Sequence, residues 1–323
     1  MTTATDDLNS TDRTNGHEVV INVHGLTKAF GKRTVVDGLD MQVRRGEIFG
    51  FLGPNGSGKT TFIRMLCGLL RPDSGEGSCL GLNIRTQAAE IKPQVGYMAQ
   101  RFSLYEDLTV RENLEFMARV YGLGNVRAEV DQTIERMGLG RYQNNLAGSL
   151  SGGWKQRLAL GACTQHRPLL LLLDEPTAGV DPGARRDFWD EVHKLAGQGL
   201  TALISTHYMD EAERCHRLAY IAYGKLLAQG STEKLVSDSG LVTWSVRSLT
   251  NDAEAIYALS RELDLEPGVD QVVPVGVTLN VCGRDTAVLA ALAGKYNDGF
   301  LWTPAETNLE MVFIDLMRNA EVN

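Results

Sequence analysis

Gly53-Pro54-Asn55-Gly56-Ser57-Gly58-Lys59-Thr60-Thr61 fits the pattern G-x-x-x-x-G-K-[ST], and its flanks supply the context that gives the pattern meaning. Before it, Glu47-Ile48-Phe49-Gly50-Phe51-Leu52 is mostly apolar and short enough for a buried strand. After it, Phe62 to Leu70 places apolar residues at helical spacing and closes on Arg71-Pro72. Strand, glycine-rich loop and helix in that order predict a phosphate site. Glycines at 53, 56 and 58 let the backbone curl so that several N–H groups face one point. The following helix adds its positive N-terminal end beneath the same point. Lys59 can reach β- and γ-phosphates, and the Thr60 hydroxyl suits a Mg²⁺ ion.

The rest of the chain sets bounds on this reading. Its 323 residues allow two domains, and 43% hydrophobic with 22% charged residues is ordinary for a globular protein. A net charge of −8 argues against a broad nucleic-acid surface. The longest purely apolar run, Leu169 to Leu173, is too short to cross a bilayer, and the polar N-terminus does not resemble a signal peptide. Cysteines 67, 79, 163, 215 and 282 are scattered without a C-x-x-C pair, so neither zinc nor disulfides are suggested, and a reducing cytosol is expected. His216 beside Cys215 is not a ligand set.

Taken outward from the loop, residues 1–17 read as a disordered tail, rich in Thr, Asp and Asn. A strand follows from Glu18, and Phe30 lies shortly before the phosphate loop. It suits either a plate for an adenine ring or an ordinary core position, and spacing alone leaves both open. A second strand-like piece covers 39–43. Short β-like pieces over 75–100 end at Gln100. The texture then turns helical: Thr109 caps one helix and residues 126–137 form another, so 101–165 reads as a helical insert. It closes with Leu150-Ser151-Gly152-Gly153-Trp154, where backbone donors open a helix; alone, this is common turn chemistry.

Leu169-Leu170-Leu171-Leu172-Leu173-Asp174-Glu175 suits a strand buried on both faces of a parallel sheet, with two carboxylates at its end. Asp174 is placed to hold Mg²⁺ and Glu175 to polarise an attacking water. Ala178-Gly179-Val180-Asp181-Pro182 turns into a helix running to about 196, and a strand over 200–205 delivers His207 at its end. Helix 208–215, a strand over 218–222 and a helix capped by Ser231 follow. Residues 240–323 read strand, helix, strand, strand, helix, strand, with Gly276 in the middle turn and a closing helix capped at Thr307. That is the β-α-β-β-α-β order of a ferredoxin-like unit. The closing helix carries Leu309, Val312, Phe313 and Leu316 as one stripe.

The order of these pieces resembles ATP-binding cassette ATPases over about 18–237. The matching stretches are a Walker A loop (53–61), a glutamine loop at Gln100, an LSGG signature (150–153), a Walker B strand (169–175), an Asp loop (178–181) and a switch histidine, His207. Val180 stands where Leu is usual, and bulky Trp154 follows the signature; neither removes a functional group.

The resemblance implies an α/β fold: a P-loop NTPase cassette, with a mixed sheet core and helical insert, followed by a small α+β domain at 240–323. It implies that Phe30 stacks on adenine and that Gly53, Pro54, Asn55, Gly56, Ser57, Gly58, Lys59, Thr60 and Thr61 cradle the phosphates of ATP. It further implies that Thr60, Gln100 and Asp174 surround Mg²⁺, Glu175 is the catalytic base and His207 senses the γ-phosphate. Ser151, Gly152 and Gly153 would meet the ATP of an opposite subunit, with Asp181 joining the two sites. A single Walker A loop then requires a second chain in a head-to-tail dimer, most simply a homodimer. Among relatives, the stretch 205–213 and the end Asn308-Leu309-Glu310-Met311-Val312-Phe313 look like drug- and polysaccharide-exporter (ABC-2 type) subunits. The expectation is therefore a cytoplasmic ATPase held on the inner membrane face by a separate permease, which it meets around 101–112. Alternatives are a solute-importer ATPase or a soluble relative acting on DNA or ribosomes. No twin cassette, coiled coil or basic linker supports the last, and no nucleic-acid partner is expected.

Overall fold

The computed structural model describes residues 18–321, so the tail expected over 1–17 lies outside the described residues. The chain divides between Leu226 and Leu227 into two compact units.

The first unit opens with β1 (Val19–Phe30), β2 (Arg33–Arg44), β3 (Ile48–Leu52) and α1 (Lys59–Leu66). Then come β4 (Ser74–Cys79), β5 (Leu82–Asn83), α2 (Ala88–Ile91) and β6 (Val95–Met98). The helical insert follows as α3 (Val110–Val120), α4 (Val126–Arg136) and α5 (Gly152–Thr164). The unit finishes with β7 (Leu170–Asp174), α6 (Pro182–Gly197), β8 (Thr201–Thr206), α7 (Met209–Ala212), β9 (Arg217–Ala222) and the start of β10 (Lys225–Gly230). The mixed core consists of two sheets: an antiparallel one, ordered β2-β1-β4-β5, and a six-stranded one, ordered β10-β9-β3-β8-β7-β6. In the second sheet β9, β3, β8, β7 and β6 run parallel to one another.

Sequence pattern explains the layering. In β2, Leu39, Met41 and Val43 are buried at alternate positions, as a one-sided strand requires. In β7, every residue is buried, because parallel strands are covered on both faces. The core forms where Ile21, Val23 and Met41 of the antiparallel sheet meet Phe49 and Phe51 of β3 and Phe62 and Leu66 of α1. The Phe51 and Phe62 rings lie 4.9 Å apart.

The topology decides where chemistry can occur. Adjacent strands β3, β8, β7 and β6 end, respectively, just before the phosphate loop, His207, Glu175 and Gln100. Residues far apart in sequence thus meet at the carboxyl edge of one sheet, where open α/β sheets bind ligands.

In the insert, Thr109 caps α3 reciprocally: its Oγ1 accepts from Glu112 N at 3.2 Å, and Glu112 Oε2 accepts from Thr109 N at 2.8 Å. Buried Asn113 holds the preceding loop, accepting from Tyr105 N at 2.9 Å and donating to Tyr105 O at 2.8 Å. Two expected bounds shift. The helix after the phosphate loop begins at Lys59 and ends at Leu66, because Gly68 takes φ +68°. The helix expected over 208–215 is the single turn α7.

The second unit contains α8 (Thr232–Ser239), β11 (Val242–Ser248), α9 (Ala253–Leu263), β12 (Gln271–Val275), β13 (Thr278–Gly283), α10 (Thr286–Lys295), β14 (Phe300–Ala305) and α11 (Leu309–Glu321). Its sheet is antiparallel with order β12-β13-β11-β14, the ferredoxin-like arrangement. Gly276 makes the β12–β13 turn at φ +60°. One face of the sheet, through Val246, Leu279 and Val281, packs on Ile256, Leu259 and Leu263 of α9 and on Leu289 and Leu292 of α10. On the other face Met311 of α11 packs with Cys282. Leu309, Val312 and Phe313 are buried as the apolar stripe requires, while Leu316 is half-buried.

Thr307 does not cap α11. Its hydroxyl reaches Leu241 O at 3.0 Å, and Asn308 Oδ1 accepts from Met311 N at 3.1 Å instead. Ser231 caps α8 as expected, accepting from Lys234 N at 3.2 Å. Because α8 packs against α11, it lies in the second unit, although the sequence reading places residues up to 237 with the cassette.

Candidate functional site

The phosphate loop connects β3 to α1. Gly58, the N-cap of α1, takes φ +108°, and a Cβ there would stand 2.5 Å from Val35 O on β2. Only glycine fits so close a backbone approach at that angle. The same contact ties the β1–β2 hairpin, with Phe30 at the end of β1, to the loop. Phe30 is 52% exposed, which removes the core-residue reading and leaves a free ring face; Lys28 Nζ lies 5.6 Å from the ring centroid.

Lys59 opens α1 and is only 4% exposed. Its ammonium donates to Gly53 O at 2.7 Å and Pro54 O at 3.1 Å, and pairs with Glu175 Oε1 at 3.2 Å. Burial pushes its pKa below the ordinary lysine value, while the Glu175 and Asp174 carboxylates act in the opposite sense.

Glu175 is the convergence point. It is 7% exposed, and its Oε2 accepts from Gln100 Nε2 at 3.1 Å and lies 3.2 Å from His207 Nδ1. Lysine, glutamine and histidine from three separate elements thus surround one carboxylate. The backbone of Glu175 takes φ +46°, which for a non-glycine residue costs about 1–3 kcal/mol. Ser205 holds it there: Glu175 N donates to Ser205 O at 3.1 Å and to Ser205 Oγ at 2.9 Å.

Asp174 is fully buried. Its Oδ1 accepts from Thr60 Oγ1 at 3.0 Å and Ser205 Oγ at 2.8 Å, while its Oδ2 has no hydrogen-bond partner among the described residues. A buried carboxylate with one orphaned oxygen beside a threonine hydroxyl fits a hard cation. No cluster of three or more His, Cys, Asp or Glu residues that could hold a metal occurs among the described residues. One buried carboxylate beside one hydroxyl would suit Mg²⁺, which takes one or two carboxylates together with phosphate oxygens. Ser57 Oγ, in the phosphate loop, is likewise buried without a partner among the described residues.

Ser151, Gly152 and Gly153 at the start of α5, with Asp181 at the start of α6, form a second group. Ser151 is the N-cap of α5, yet its side chain makes no capping bond and is exposed. Asp181 caps α6, its Oδ1 accepting from Ala184 N at 2.9 Å. Gly153 allows α5 to approach α6, since a Cβ there would stand 2.4 Å from Ala184 Cβ. Trp154, beside it, lies 4.6 Å from the Tyr142 ring at a 51° tilt and under the guanidiniums of Arg141 and Arg157, each 5.2 Å away.

Two groups in the site escape the sequence reading. Ser205 links β7 to β8, and Glu211 accepts from Thr177 and Thr206. The only signal for either was polar residues closing an otherwise apolar strand and opening a short helix.

The ABC transporter family profile matches residues 36–178. The probable multidrug ABC transporter ATP-binding protein YbhF of Escherichia coli is 45% identical over 224 residues, which span 69% of this chain and 39% of that protein, so this chain covers about two fifths of that relative's length. The Nod factor export ATP-binding protein I of Ralstonia nicotianae is 36% identical across 93% of this chain and 94% of its own. The linearmycin resistance ATP-binding protein LnrL of Bacillus subtilis is 33% identical across 92% and 98%. Among solved structures, a nucleotide-free ATP-binding cassette from an ABC transporter superposes with a TM-score of 0.62 at 26% identity, covering 68% of this chain and 94% of that one. The chain belongs to the ABC transporter family, as one of its ATP-binding proteins.

Proposed function

We propose that the chain is an ATP-hydrolysing subunit that drives a separate membrane permease in export. The observation that carries the catalytic part is the single carboxylate of Glu175, held among Lys59, Gln100 and His207 beside the phosphate loop. Lys59 and the loop N–H groups hold the phosphates, and the exposed ring of Phe30 takes the adenine. Asp174, Thr60 and Gln100 would hold Mg²⁺, which would neutralise charge on the phosphates. Glu175 accepts a proton from water as the water oxygen bonds to the γ-phosphorus; the bond from that phosphorus to the bridging oxygen breaks, and the bridging oxygen leaves with ADP. His207 donates a hydrogen bond to the γ-phosphate. Ser151, Gly152, Gly153 and Asp181 serve the second nucleotide of a head-to-tail dimer.

Export is supported by relatives named for Nod factor export and for daunorubicin and linearmycin resistance. No helix among the described residues is long and apolar enough to cross a membrane, which fits a permease supplied by another chain and a place on the inner membrane face. Exposed Tyr105 and Phe116, edge to face at 5.2 Å, with exposed Val120 further along α3, offer an apolar surface for that partner around 101–112.

Crosslinking from positions 101–112 in native membranes tests the partner. Adducts with an integral membrane protein, whose presence changes the ATPase rate, are expected. Adducts with soluble protein or nucleic acid alone would contradict the proposal.

A further inference from the structure

Glu211, on α7, is fully buried, and the chemistry above does not use it. Its Oε1 accepts the Thr177 hydroxyl and lies 3.4 Å from Arg185 Nε, while its Oε2 accepts the Thr206 hydroxyl at 2.6 Å. A carboxylate is costly to bury unless charged and hydroxyl partners satisfy it, and here both kinds do.

Those partners come from three functional segments. Thr177 follows Glu175 in the turn closed by the bond from Ala178 N to Glu175 O at 3.2 Å. Thr206 immediately precedes His207, and its Oγ1 also accepts from Tyr208 N at 3.0 Å, so one hydroxyl brackets the histidine from both sides. Arg185 lies in α6, whose N-cap is Asp181, and its guanidinium sits 4.2 Å from the Tyr208 ring.

Ser205 ties the two strand ends together at the level of Asp174. Beyond the strands, where the chain leaves the sheet and hydrogen bonds of the ladder stop, the Glu211 carboxylate bridges the Thr177 and Thr206 hydroxyls of the two turns, alongside the Glu175–His207 contact itself. We infer that Glu211 is a positioning residue for ATP hydrolysis: it fixes the Glu175 turn against the His207 turn, so that base and γ-phosphate contact converge on one reacting centre. This inference rests on the catalytic reading proposed above.

The test uses the full chain with Glu211→Gln, Thr206→Val and Thr206→Ser. Misplacement by about 1 Å can cost on the order of 10²-fold in rate. Glu211→Gln and Thr206→Val are therefore expected to lower kcat about 10- to 100-fold while leaving the ATP Kd unchanged. Thr206→Ser, which retains the hydroxyl, should keep the parent rate. Adding Glu211→Gln to Glu175→Gln should cause no further loss, because one acts through the other.

Parent-like kcat in both Glu211→Gln and Thr206→Val, with Glu175→Gln inactive, would overturn this inference and leave the catalytic reading standing. So would a loss that appears in Kd, or one that adds fully to that of Glu175→Gln. Hydrolysis by Glu175→Gln at the parent rate would overturn both.

Discussion

Replacing Gly153 with alanine should force α5 and α6 apart at their N-terminal ends. The added Cβ would stand 2.4 Å from Ala184 Cβ and 3.8 Å from Ala184 Cα. Carbon atoms in contact sit at about 3.5–4.0 Å, so the helices must separate by roughly 1 Å or more. Neither atom is the end of a flexible chain that could swing aside. Such overpacking costs about 1–3 kcal/mol, against which alanine's helix preference over glycine returns at most about 1 kcal/mol. A net loss of about 1–2 kcal/mol follows for the stability of the first unit.

The structure supplies two controls. A Cβ at Gly152 meets nothing nearer than Gly179 O at 4.0 Å, so Gly152→Ala should cost nothing measurable. Ala184→Gly removes the clashing methyl, so the pair Gly153→Ala/Ala184→Gly should recover about 1–2 kcal/mol relative to additivity. Urea denaturation of the parent and the four variants (Gly152→Ala, Gly153→Ala, Ala184→Gly and the pair) at one pH measures this. Equal stability for the Gly152→Ala and Gly153→Ala variants, or additive behaviour of the pair, would refute the close approach as the reason for glycine at 153.

Three further outcomes are expected. Lys59→Ala removes the buried ammonium proposed to hold the phosphates, and losing a hydrogen bond to a charged group costs about 1.5–3 kcal/mol, so ATP should bind about 10- to 100-fold more weakly by calorimetry. Burial lowers the His166 pKa from 6.5 to about 4, its ring stacked 3.6 Å from that of Tyr121. The unfolded chain then binds the extra proton first, so stability is full above about pH 6.5 and falls as pH drops toward 4; urea midpoints at pH 7.5 and 5 should differ by less in His166→Phe. In Glu175→Gln, ATP should change the tryptophan emission through the Trp154 cluster, and Trp154→Phe should abolish that change while Trp189, Trp244 and Trp302 remain.

What could be read from sequence was local. The phosphate loop, the Thr109 cap of α3, Ser231 at α8 and Pro182 at the start of α6 depend on neighbours within one turn, so residue type and spacing suffice. The ferredoxin-like order of the second unit was also legible, because each of its elements carries its own period. What escaped was pairing across the sheet. Nothing near Ser205 reveals that its hydroxyl reaches Asp174 on the neighbouring strand, and nothing near Glu211 reveals Thr177. Phe30 was undecidable by spacing because exposure, not periodicity, separates a free ring from a core ring. Thr307 and Asn308 are both competent caps, and the choice went to Asn308 because Thr307 is engaged by Leu241 O. The placement of α8 turned on α11, far along the chain.

The central claim is that Glu175 is the base that activates water for ATP hydrolysis. Its most direct test is phosphate release by the parent and by Glu175→Gln under saturating ATP and Mg²⁺, with nucleotide binding measured alongside. Glutamine keeps the shape and removes the basicity, so hydrolysis should fall about 10²- to 10⁴-fold, or about 2.7–5.4 kcal/mol in barrier, while ATP binds at least as tightly. Phosphate release by the glutamine variant at the parent rate would contradict the account.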